Sequence, residues 1–412
     1  MILLSVAWQS LLSRKQTVLL TFFSLTISIV VLLSVEHIRL QAKDSFNRTI
    51  SGVDLIVGAP SGQLNLLLYS IFRMGSAANN IHYKSFTMLE ELESVDWAIP
   101  ISLGDSHRGF RVIGTNNDYF THYMYGNKKS LEFEQGGEFS SLFDVVLGAD
   151  VAKKLNYNLG DKVVISHGIG STSFTKHKQA PFVIRGILEN TGTPVDKSVH
   201  VSLGAIEAIH LAPAILKKWL KNSELKPPVP KSITAVMVKL KSKLSIFGLQ
   251  RRINDYSTDR LMAVLPGVAM TELWSLLATI ENLLRVIATL VLTSSLFGLT
   301  TMLLASMNER KTEIAILRML GASPTTLILL ILFEALILVS LAIIMSVVIL
   351  TLTLFSLESW LATEFGLFLS DSIFTMELMK IMSMIFIATL GVSLLPGIQA
   401  YKYALHAQLS SN

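Results

Sequence analysis

The side chains best equipped for chemistry are histidines and one isolated carboxylate. His167 and His177 flank Gly168–Lys176, His200 and His210 follow, and His82, His107 and His122 lie further back. Neutral imidazoles grouped in a cysteine-free segment can ligate zinc or copper. No HxxxH or HxH spacing occurs, so a polar loop with incidental histidines is the competing reading. Glu334 is set within a long apolar run. At such depth an ionised group is expensive and marks either a functional site or a contact to a neighbouring helix. A structural contact, to Ser294, Ser295 or Thr300, is favoured over a translocation role. Nucleotide and hydrolytic chemistry have no foothold: GxxxxGK[ST], HExxH and GxSxG are all missing. The chain is therefore not expected to be an enzyme.

The elements that position these residues are dominated by lipid-length helices. Of the 412 residues, 51% are hydrophobic and only 16% charged, too apolar for a soluble domain. The net charge of +5 is not gathered into a basic run with interleaved aromatics, so nucleic acid is not an expected partner. Met1–Lys15 has Leu4, Ala7, Trp8, Leu11 and Leu12 at helical spacing and predicts an interfacial helix. Thr17–Val35 carries no charge and is long enough to span a bilayer of about 30 Å. It lacks a small-residue cleavage site, so it is expected to be an uncleaved first span. Further spans are predicted at 280–307, 325–355 and 379–398. Between the first two lies a long polar region with β-rich runs at 52–57, 110–114, 145–148, 162–166, 182–188, 199–203 and 234–239. Helical stretches alternate with them at 149–155, 206–210 and 214–221. This mixture predicts an α+β domain. Asp196 and Lys197 are expected at the exposed tip of a hairpin over 186–203. Glu281 and Arg285 are expected to pair along one helix.

Between the second and third spans lies Asn308–Pro324, NERKTEIAILRMLGASP. Glu309, Arg310, Lys311 and Glu313 crowd its first half, and Ile314, Leu317 and Leu320 with Arg318 make its second half amphipathic. Gly321 suits a helix C-cap, and Ser323-Pro324 suits the N-cap and first turn of the next helix. A short charged helix strapped between two spans is predicted, on the cytoplasmic side because of its basic residues.

This motif resembles the coupling segment of the FtsX/MacB/LolC-E permeases, membrane subunits of ABC transporters of the mechanotransmission type. GVDLIVGAP and VLGADVAKKLNYNLGDKV resemble the MacB-type periplasmic core more loosely, and the tail PGIQAYKYALHAQL resembles the family's usual ending. The resemblance implies that Glu309, Arg310, Lys311, Glu313, Ile314, Leu317, Arg318, Leu320 and Gly321 engage a cytoplasmic ATPase. It implies two ATPase copies serving a homodimer or a pair of paralogous permeases. A periplasmic adaptor or lipoprotein is a further implied partner. Without a phosphate loop, ATP is expected on a partner chain, as in LolC/E and FtsX and unlike MacB.

The expected organisation is an interfacial helix and first transmembrane helix over 1–35, a periplasmic stalk and MacB-like α+β core over 36–278, and an FtsX-like permease domain with three transmembrane helices and the coupling helix 308–324 over 279–412. The expected fold is a membrane protein of four transmembrane α-helices in a bacterial inner membrane, with the α+β domain inserted between the first and second. Both termini are cytoplasmic in this arrangement. Two other readings stay open: a permease for divalent metals, binding zinc through His167, His177, His200 and His210, and a non-transporting scaffold or sensor. A reporter that works only in the cytoplasm is expected to be active when fused after Ser323 or Asn412 and silent after Gly192. Activity at 192 would overturn the four-span topology.

Overall fold

The computed structural model describes residues 2–167, 180–211, 216, 228–309, 316, 319, 322–365 and 375–409. Among these, four helices are long and apolar enough to cross a membrane: Lys15–Thr49, Pro266–Met307, Thr325–Leu357 and Met376–Gln399. The chain divides into two units. One comprises Met1–Ala42, Ala278–Trp360 and Leu369–Asn412, and the other Lys43–Leu277 with Leu361–Phe368.

The first unit is a helical bundle. Its core is aliphatic, with Leu25, Ile29 and Leu33 from the first spanning helix, Leu292, Leu296 and Leu303 from the second, and Ala335, Leu338 and Ala342 from the third. Small and branched side chains at these positions allow the close helix approach on which packing in lipid depends. The amino-terminal helix Ile2–Ser13 buries Ala7 and Leu11 while Trp8 and Leu12 remain exposed. Ala7, Trp8, Leu11 and Leu12 lie on one helical face, part of it buried and part left open. The first spanning helix runs unbroken to Thr49. The second begins at Pro266, after the strand Met262–Val264.

The second unit is built on an eleven-stranded sheet among the described residues. Its main path runs Met262–Val264, Leu55–Gly58, Ala235–Leu240, Val95–His107, Phe110–Thr115, Ser198–Ser202, Asp144–Leu147, Phe182–Leu188 and Phe133–Gly136. Pairing is antiparallel except between Phe110–Thr115 and Ser198–Ser202 and between Asp144–Leu147 and Phe182–Leu188. Leu55–Gly58 and Asp144–Leu147 are buried throughout. Their alternate residues enter different apolar clusters, Ile56 and Val146 in one, Leu55 with Val57 and Val145 with Leu147 in others. Both sheet faces are thus covered, which explains why these strands read as continuous apolar runs. The first and last strands of the unit are neighbours, Ile56 lying opposite Val264.

The segment 186–203 is not a hairpin. Asp144–Leu147 lies between its two strands, pairing with Phe182–Leu188 on one side and Ser198–Ser202 on the other. Asp196 is fully buried in the turn Pro194–Lys197, not exposed at a tip. Its carboxylate accepts from the Thr191 amide at 2.9 Å, the Thr191 hydroxyl at 2.8 Å and the Gly192 amide at 2.8 Å. The short loop has no partner strand to satisfy its amides, and the carboxylate does so instead.

Gly148, after Asp144–Leu147, is required by close approach. A Cβ there would lie 2.3 Å from the Val195 carbonyl oxygen and 2.5 Å from that of Asp196. Gly148→Ala is expected to destabilise the chain by about 2 kcal/mol or more. Gly248→Ala, where a Cβ meets nothing within 4 Å in the helix Ile246–Asn254, is expected to stabilise by about 0.5–1 kcal/mol. Thermal unfolding of the two purified variants checks the pair, and equal melting temperatures would contradict it.

Candidate functional site

The coupling segment itself, with Arg310, Lys311, Glu313, Ile314, Leu317, Arg318, Leu320 and Gly321, lies outside the described residues; its two attachments are described. On its entry side the second spanning helix ends at Glu309. Arg14, at the junction of the two amino-terminal helices, pairs with the Glu309 carboxylate at 3.3 Å and donates to the Ser306 carbonyl at 2.7 Å. That carbonyl belongs to the last turn, where helix carbonyls lack internal partners and the dipole favours a cation. On its exit side the next helix opens at Pro324, with the Ser323 hydroxyl accepting the Thr326 amide at 3.3 Å. The N-cap and first-turn proline read from the sequence are in place.

From Arg14 outward, polar contacts tie the first and second spanning helices in one antiparallel register. Ser28 and Ser295 share a hydroxyl hydrogen bond of 2.5 Å, and Ser24 lies 3.1 Å from the same Ser295 hydroxyl. Further along, Arg285 donates to the Glu36 carboxylate at 3.2 Å. Arg39, one turn beyond Glu36, pairs with that carboxylate as well and approaches Glu281 at 3.9 Å. Arg285 thus reaches across to the neighbouring helix instead of pairing with Glu281 along its own. Of the two carboxylates Glu36 is the more buried, at 9% side-chain exposure against 28% for Glu281, and removing either arginine would leave it short of a partner out of water. The third spanning helix joins through the Ser346 hydroxyl, which donates to the Thr26 carbonyl at 3.0 Å.

Glu334 is buried in the third spanning helix. It has an interaction partner within the protein; of the residues expected near it, Ser295 also bonds Ser28 and Ser24, Thr300 donates to the Leu296 carbonyl at 2.9 Å, and Ser294 is exposed.

Two family models match this architecture. That of the FtsX-like permease C-terminal covers residues 285–405, and that of the MacB-like periplasmic core domain covers residues 17–256. The chain is an FtsX/MacB-like ABC permease. The periplasmic region of MacB from Actinobacillus actinomycetemcomitans is similar at 13% identity, covering 55% of this chain and 97% of that one, with a TM-score of 0.34. The extracellular domain of the noncanonic ABC-type transporter YknZ from Gram-positive bacteria is similar at 15% identity, covering 52% and 99%, with a TM-score of 0.30. No curated protein matches the chain.

In this FtsX/MacB-like permease the core domain grips the end of the first spanning helix. The Tyr123 hydroxyl donates to the Thr49 carbonyl at 2.9 Å, and the Gly126 amide to the Arg48 carbonyl at 2.8 Å. Both carbonyls sit in the last helical turn and would otherwise be unpaired. Phe46 packs on Phe72 at 4.7 Å between ring centroids and edge-on to Trp274 at 5.8 Å. Neither device was visible in the sequence, where Phe46 stands between Ser45 and Asn47 and Tyr123 between His122 and Met124, with no pattern to mark a contact.

The histidines are scattered through the core domain. His107 bridges the Val164 carbonyl at 2.8 Å and the Tyr157 hydroxyl at 3.1 Å. His122 stacks on Trp97, and His82 lies 3.2 Å from Asp259. Of the four candidate ligands, His177 and the side chain of His167 are outside the described residues. His210 follows the helix Leu203–Ile209 and is exposed, with Nδ1 2.6 Å from the Ile206 carbonyl. His200 is fully buried with its ring 5.1 Å from that of Tyr119. Among the described residues no three His, Asp or Glu side chains converge as metal ligands.

His200 is an acid-sensitive point. Burial, with the Arg73 guanidinium nearby, pushes its pKa down from 6.5 to about 3. Between those values the unfolded chain binds a proton that the folded domain refuses. Stability is thereby lost as pH falls through the window, by up to about 1.4 kcal/mol per pH unit. His200→Phe, which keeps the ring stack, is expected to flatten the melting profile of the full chain between about pH 6 and pH 4. Parallel profiles for the two proteins would show that His200 is not responsible.

Proposed function

We propose that this chain is the permease subunit that couples a separate cytoplasmic ABC ATPase to movement of its periplasmic domain. The observation that carries the reading is the charged segment 308–324, held between the Arg14–Glu309 pair and the Ser323 cap inside the stretch matched by the FtsX-like model. A loop with both attachments fixed passes a push to the helices that flank it. The second spanning helix is a good lever: its 44 residues rise about 66 Å, roughly twice the hydrocarbon thickness of a bilayer. Basic residues Arg14, Lys15, Arg310, Lys311, Arg318 and Lys402 favour a cytoplasmic location for that segment and both termini.

In this reading two ATPase copies serve a permease dimer, of identical or paralogous chains. Closure of the ATPases on ATP displaces the coupling segment, and the first two spanning helices carry the displacement outward. Extraction of a lipoprotein, export through a periplasmic adaptor and activation of an outside enzyme all use such a stroke. The chain contributes no catalytic group; ATP is held and split on the partner.

Ile314, Leu317 and Leu320 recur at three-residue spacing and so share a helix face. Ile314→Ala with Leu317→Ala is expected to leave membrane insertion intact while ATPase association weakens by about 2 kcal/mol or more. Copurification in mild detergent and stimulated ATP hydrolysis read the effect. A double variant that retains its ATPase and hydrolyses at the normal rate would refute coupling through this face.

A further inference from the structure

Within the unit Lys43–Leu277, the end of the first spanning helix and the start of the second enclose a cleft of about 450 Å³. That volume suits a small organic ligand. Ile50, Val53 and Met270 give it apolar walls, and Lys43, Asn47 and Trp274 add polar groups that are all donors or donor-bearing. Among the described residues no carboxylate lines it. Lys43 is exposed, and among the described residues it makes no ion pair; the adjacent Asp44 is taken by Arg48 at 2.6 Å. The Trp274 Nε1 atom is buried without a hydrogen-bond partner, although the ring is held edge-on by Phe46. A buried indole N–H normally finds an acceptor. Gly267, in the first turn of its helix, also lines the cleft. A Cβ on it would meet nothing within 4 Å, so it faces open space.

We propose that this cleft binds an amphiphile bearing one anionic head, a carboxylate or a phosphate monoester, and an apolar tail. The head takes Lys43 and the unpaired indole N–H, both charge-assisted hydrogen bonds because the acceptor is an anion. The tail covers the half-buried Ile50 and Val53, which gain from leaving water, beside the already buried Met270. A cationic amphiphile is opposed by Lys43, and a purely apolar one leaves the indole unsatisfied. The proposal concerns the chain's own ligand chemistry and does not depend on how the ATPase is coupled.

The test uses the full chain in lipid nanodiscs and bromoundecanoate, whose bromine quenches nearby tryptophan fluorescence. A saturable quenching component is expected in the native protein and is expected to vanish in Trp274→Phe, which locates it. Gly267→Leu, which adds a side chain where a Cβ meets nothing within 4 Å, is expected to abolish saturation without lowering the melting temperature. Lys43→Met is expected to weaken binding by about tenfold. Should Gly267→Leu fail to fold, Lys43→Met and Lys43→Glu carry the comparison. Decanoate and decyl phosphate are the competitors for the two heads, and competition by either supports the proposal while identifying the head. Equal competition by decanol overturns the anionic assignment. Quenching that rises without saturation, or that is the same in Gly267→Leu and the native chain, overturns the site.

Discussion

The buried carboxylate of Glu36 holds the register of the bundle. It receives Arg39 from its own helix and Arg285 from the second spanning helix. In lipid, apolar side chains gain nothing by leaving one hydrocarbon surface for another, so helix pairing rests on packing and on polar contacts at defined heights. Three such heights occur along one helix pair, at Arg14 with Ser306, Ser28 with Ser295, and Glu36 with Arg285. Sliding one helix past the other by a turn would break all three together and strand a charge out of water, a larger loss than the pair gains when intact. The helix pair therefore has discrete positions, and a push at one end is not absorbed by gradual slippage.

Much of the architecture was legible in the sequence because lipid imposes a simple rule: long uncharged runs must be helices that satisfy their own backbone. The spanning helices follow from that rule, and the Ser323-Pro324 start follows from local cap chemistry. The strand Val95–His107 did not emerge, because Asp96, Pro100, Gly104 and Asp105 interrupt its pattern. Its pairing with Ala235–Leu240, which sets Pro100 opposite Val236, compensates for poor local propensity. The Pro100 carbonyl still accepts the Thr115 hydroxyl at 2.9 Å. Strand preference is largely a statement about neighbours, and neighbours are what a linear reading lacks.

Burial was the least legible quantity in the core domain. Asp196 looks like a loop-tip charge by its company, Pro194 and Lys197, yet it is the acceptor that organises its own turn. Burial raises its carboxyl to about 6, with the charge of Asp150 adding to the effect. His200 lies in a run of valines, and only the fold reveals that its ring joins the Tyr119 and Phe120 cluster. Polar residues of this kind carry identical letters whether they serve a ligand or their own backbone. What separates the two uses is whether the hydrogen-bonding capacity is already spent, as it is at Asp196 and is not at Trp274.

The pairing of Leu55–Gly58 with Met262–Val264 places the entry and exit of the inserted domain side by side. A domain whose two ends are hydrogen-bonded neighbours can be exchanged for another without rethreading the host. The helical unit then keeps its own contacts whatever is carried between its first two helices. Modular inheritance follows from this one strand pair: the inserted domain and the helical unit are free to diversify at different rates within a single chain.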